Sequence, residues 1–148
     1  MSEHALNLSE SSPLKNNEDF KQLLQNLKEE ELKEVVIRFA KDKSITITEA
    51  SKVRDNFFQF ISLTKISNNP ISPPMIVDEF WHKFLIFTRQ YQNFCDKHFG
   101  HFIHHEPLSK ELSKKNNFQE TSKLLWDNFN AVACCNNTCD ADWPTIRG

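Results

Sequence analysis

Apolar residues recur at helical spacing in five stretches of the chain. Phe20, Leu23, Leu24 and Leu27 mark one side of a short helix over about 19–27. Leu32, Val35, Val36, Phe39 and Ala40 follow at i, i+3, i+4, i+7 and i+8, predicting a second helix over about 29–41. Its first turn carries Glu29, Glu30 and Glu31, a solvated acidic start that suits the helix dipole. Thr46 with Glu49 forms a capping box that opens a third helix, about 47–65, with Ala50, Val53, Phe57, Phe60, Ile61 and Thr64 facing inward. Leu124, Leu125 and Phe129 are the core positions of a last helix over about 118–130, with Trp126 at its edge.

Between these lies the stretch that the rest is expected to hold. Ser72 reads as an N-cap and Pro73 as the first helical residue, while Gly100 closes the far end after Lys97 and His98, which complement the helix dipole. One long central helix over about 73–98 is therefore expected. Val77, Phe80, Trp81, Phe84, Phe87, Thr88, Tyr91, Phe94 and Cys95 make its broad core stripe. At about 100° per residue, Asp78, His82, Ile86, Arg89 and Asn93 point to the opposite side. The reading is thus an all-α, single compact domain of about five helices. It spans 18–131, after a polar tail over 1–17 expected to be disordered and before a Cys-rich tail over 132–148.

Composition narrows the chemistry. With 148 residues, the chain can bury a real core, and 13 Phe against 2 Gly leave no material for a Gly-rich phosphate loop. A net charge of −2 with scattered basic residues gives no electrostatic footprint for nucleic acid. No apolar run is long enough to span a membrane, and the N-terminus lacks a signal-peptide pattern, so a cytoplasmic protein with reduced thiols is expected.

Five of the six His lie between Ser72 and Pro107. Asp78 and His82, four residues apart, are placed to hydrogen-bond along one helix face. Ile86 on that same face calls for an apolar cover, so the leading reading is a protein-binding module whose surface includes Asp78, His82, Ile86 and Arg89, its partner another protein. The alternative is zinc. Cys135 and Cys139, or Cys134 and Cys139, have the spacing of two neighbouring vertices of a zinc tetrahedron, with Cys95, His101, His104 or His105 to supply the other two ligands if the tail folds back. An open metal site of Asp78, His82 and a loop histidine, for metal-assisted hydrolysis, is a further option. Cys95 as a nucleophile is disfavoured by its place in the core stripe.

The pattern P-x3-V-D-x2-W-H, then T-x2-Y-x2-F-C, a Gly and I-x-H-x-P, resembles the glycine-rich domain-containing protein-like family. Asp78, Trp81, His82, Thr88, Tyr91, Phe94, Cys95, Gly100, Ile103, His105 and Pro107 carry the resemblance. It implies a helical domain and favours His105 over His104 as the ordered loop histidine. It implies no reaction, and this chain has no glycine-rich segment.

Overall fold

A computed structural model describes residues 4–68, 70–105, 111–132 and 145–146. Among them are six helices: α1 (Glu18–Lys28), α2 (Lys33–Lys43), α3 (Ile47–Leu63), α4 (Met75–Ile86), α5 (Thr88–Phe99) and α6 (Glu111–Phe129). Two-residue strands, β1 (Ala131–Val132) and β2 (Thr145–Ile146), pair antiparallel after α6. No helix among the described residues is long and apolar enough to cross a membrane.

The all-α expectation holds, and the apolar stripes do fill the core: Phe20, Leu23, Leu24, Leu27, Val35, Val36, Phe39, Ala40, Phe57, Phe60 and Ile61 are all buried. The predicted capping box is present, Thr46 Oγ1 accepting from Glu49 N–H and Glu49 Oε1 accepting from Thr46 N–H. α3 packs against α1, α2, α4 and α6. At its middle Phe57, wholly buried, touches the rings of Phe80, Trp81, Phe84 and Phe94 at centroid distances of 5.5–6.4 Å. Truncating a ring so placed typically costs about 3–5 kcal/mol.

The long helix expected over 73–98 is two helices. Phe87, with φ −84° and ψ 67°, ends α4 and begins α5. Its physical reason lies in the contacts across the break. Trp81 Nε1 donates to the Tyr91 hydroxyl at 3.0 Å, and Phe84 meets Phe94 edge-on at 5.2 Å. Each pair is ten residues apart, which in a continuous helix means about 15 Å along the axis. Turning the chain at Phe87 folds α5 back onto α4 and converts two stretches of one stripe into facing walls.

The start of α4 also differs. Pro74, not Ser72, is the N-cap, and the helix begins at Met75. A residue before proline is pushed out of the helical region, so Pro73 cannot be the first helical residue when Pro74 follows. Ser72 instead offers its carbonyl to Thr121 Oγ1 of α6 at 2.6 Å.

The N-terminal segment 4–17, expected to be a loose tail, lies on the domain. Leu6 is buried in the core, Gln59 Nε2 donates to the Ala5 carbonyl at 2.7 Å, and Ser12 Oγ donates to Asn128 Oδ1 at 2.6 Å. Three apolar residues, Leu6, Leu8 and Leu14, supply the contact that the polar average of this segment conceals. With glycine available only at Gly100 among the described turns, Ser44 and Asn130 take left-handed backbone conformations, at φ 58° and 54°.

Candidate metal centre

The loop after α5 returns to α4 because its backbone is held. Tyr91 donates its hydroxyl to the Ile103 carbonyl at 2.5 Å, while Ile103 N–H donates to the Cys95 thiol. Phe102 packs edge-on against the Tyr91 ring at 5.2 Å. Burial pushes the Tyr91 phenol far above its ordinary value, and burial likewise raises the Cys95 thiol. Both therefore stay protonated near neutrality, Tyr91 as a donor and Cys95 as a small buried hydrophobe.

Two residues further on, His105 lies flat against Trp81, ring centroids 4.2 Å apart and planes 27° apart. Its Nε2 meets Asp78 Oδ1 at 2.5 Å. The second oxygen of Asp78 faces His82 Nδ1 at 3.7 Å, one helical turn along α4. His82 in turn stacks on the other side of His105, at 4.6 Å and 15°. Asp78, His82 and His105 each offer a ligand atom within 4.8 Å of the other two. A polar group held between an indole and a second imidazole is well oriented, and the cluster is open on one side: the His82 side chain is 61% exposed, that of His105 13%.

A shallow depression of about 250 Å³ adjoins His82, lined by Phe39, Asp42, Lys43, Glu79, Lys83 and Ile86. Ile86 is 63% exposed at its edge. The cations here are engaged: Lys43 pairs with Glu79 at 2.9 Å, and Lys83 pairs with Asp42, whose carboxyl its hydrogen bond holds below the usual range.

Of the residues singled out from sequence, the structure brings together Asp78, His82 and His105. Ile86 stands beside them on α4. Arg89 is exposed on α5, beyond the break at Phe87, so the continuous-helix register that aligned it with the other three does not apply. Cys95 is not in the cluster; it is buried against Tyr91 and Ile103. Cys135 and Cys139 lie outside the described residues.

A second pair went unread in the sequence. Glu30, expected in a solvated helix start, lies instead in the α1–α2 link, where His98 Nε2 reaches its Oε2 at 2.6 Å and Lys97 Nζ reaches it at 3.0 Å. Burial opposes its ionisation, but the hydrogen bonds from His98 and Lys97 outweigh this and hold the Glu30 carboxyl below its ordinary value.

The UCP032817-like family model matches residues 9–145, nearly the whole helical domain and the short ladder after it. The chain belongs to the UCP032817-like family. It is an uncharacterised family, and no glycine-rich domain family matches, which overturns the resemblance drawn from the D-x2-W-H and I-x-H-x-P residues. Those residues mark the Asp78, His82 and His105 cluster without requiring membership of that family. No curated protein and no solved structure matches the chain.

Proposed function

We propose that the protein binds a divalent transition metal, zinc in the first instance, through Asp78, His82 and His105. The observation that carries the reading is the convergence of two imidazoles and a carboxylate from α4 and from a loop 27 positions away in sequence. Neighbouring ligand atoms on a zinc tetrahedron stand about 3.3 Å apart; here His105 Nε2 lies 2.5 Å from one Asp78 oxygen and His82 Nδ1 3.7 Å from the other, with one ligand atom of each residue within 4.8 Å of the other two. Near-parallel imidazoles cannot both aim lone pairs at one ion, so one ring has to turn. His82, the more exposed, has the room. Three protein ligands leave a vertex for water, the arrangement of catalytic rather than structural zinc.

A chelator-competition titration of the reduced, untagged protein tests this. About one equivalent of zinc per chain is expected, with the affinity lowered by at least about 100-fold in Asp78→Asn and His105→Ala. A wild-type protein that takes up no zinc overturns the reading.

A second reading is favoured by Ile86, left exposed beside the depression: a protein-binding surface that includes Asp78, His82 and Ile86 of α4, without the Arg89 of the sequence expectation. Here Ile86→Asp should abolish capture of a protein partner while zinc stoichiometry is kept. Retained capture by Ile86→Asp removes this reading. In both, the protein works in the reducing cytoplasm, consistent with a free, buried Cys95.

A further inference from the structure

His105 is the one ligand of the triad that no helix supplies. A loop ligand holds a metal well only when its backbone is fixed in advance, since a looser chain loses entropy on binding. The fixing group here is a side chain that does not touch the cluster. The Tyr91 hydroxyl donates to the Ile103 carbonyl at 2.5 Å and accepts from Trp81 Nε1 at 3.0 Å. Trp81 is also the platform on which His105 rests, at 4.2 Å. The cycle is therefore closed: Trp81 orients the His105 ring directly and, through Tyr91, the loop that delivers it. Cys95 takes the Ile103 N–H, so that both backbone polar groups of Ile103 are tied to α5.

We propose that Tyr91 is a positioning residue for the metal site, setting zinc affinity through Ile103 and His105 without contacting the ion. The inference rests on the metal-binding reading above. The phenol ring itself packs against Phe84 and Phe102, so Tyr91→Phe removes the hydroxyl and leaves the ring contacts in place.

Zinc affinity is measured by chelator competition for wild type, Tyr91→Phe, His105→Ala and the double variant, with thermal unfolding alongside. Loss of a group that hydrogen-bonds a ligand directly typically weakens a metal site by about 10–100-fold; Tyr91 acts one step further back, through Ile103, so the low end, about tenfold, is expected for Tyr91→Phe. In the His105→Ala background the same change should have no further effect, because its route to the metal is gone. A purely structural tyrosine would lower the unfolding temperature in both backgrounds equally and leave the affinity of the folded protein unaltered. Should Tyr91→Phe fail to fold, Cys95→Ala removes the other tie to Ile103 and is expected to weaken zinc severalfold. Wild type that binds zinc while the folded variants bind it equally well overturns this inference alone. Wild type that binds none overturns it together with the metal reading.

Discussion

Two imidazole–carboxylate pairs of nearly the same length stand in this domain, and they differ in what else reaches the carboxylate. His98 meets Glu30 at 2.6 Å, and His105 meets Asp78 at 2.5 Å. At Glu30 the third group is the Lys97 ammonium, which meets the same oxygen, Oε2, at 3.0 Å and, having no lone pair, cannot ligate a metal. At Asp78 it is a second imidazole, which can. The His98 side chain is fully enclosed, with Phe94 at 4.8 Å and its Nδ1 without a hydrogen-bond partner among the described residues. The other pair opens onto solvent through His82. The same two residue types thus make a clamp between the α1–α2 link and α5 in one place and a ligand cluster in the other. Exposure and the third partner decide which.

Exchanging the two histidines for alanine breaks the comparison most sharply. His105→Ala should weaken zinc binding by at least about 100-fold, since three ligands fall to two. His98→Ala should leave zinc affinity unchanged. Equal losses from the two, measured by chelator competition, would erase the distinction drawn here. Denaturant unfolding should rank them the other way. His98→Ala strips a half-buried carboxylate of one of its two partners and opens a cavity, at about 2 kcal/mol. His105→Ala gives up a largely buried ring stacked on Trp81 and bonded to Asp78, but leaves a gap open to solvent rather than an enclosed cavity, and should cost about 1 kcal/mol, less than His98→Ala. His82→Ala is the intermediate case. It should weaken zinc about tenfold or more without a measurable change in stability, its side chain being mostly in water.

How far the sequence discloses these two regions follows from the range of the interactions involved. Local signals read through: the i, i+4 spacing of Asp78 and His82, the Thr46 capping box, the stripe that buries Cys95. The break at Phe87 does not, because no glycine or proline stands there and both halves keep the aromatic period. Only the contacts of Trp81 with Tyr91 and of Phe84 with Phe94 require it. Which loop histidine joins Asp78 was likewise open on residue pattern among His101, His104 and His105. It is settled by Tyr91 and Cys95 holding Ile103, contacts spanning 12 residues or fewer but crossing between elements. Glu30 with His98 is 68 positions apart, and each has a sufficient local role at a helix end, so nothing in the chain's pattern joins them. The start expected at Pro73 is two residues early, although Pro74, which forces Pro73 out of the helical region, stands in plain view in the sequence.

The smallest expected effect concerns acid. The Glu30 carboxyl is held below its ordinary value of 4.5 by His98 and Lys97, against the opposing effect of burial. A carboxylate depressed on folding contributes stability that is fully present above its unfolded value and is lost as pH falls through the lowered folded value. Stability of the wild-type domain should therefore fall on acidification below about pH 4.5, more steeply than that of Glu30→Gln, which has no such group to protonate. Allowing for solvent screening at a half-buried site, the two curves should converge by under about 1 kcal/mol. Parallel curves from urea unfolding at a series of pH values would mean that the Glu30 clamp carries no proton-linked stability. The burial that separates His98 from His105 would then have to act through packing against Phe94 alone.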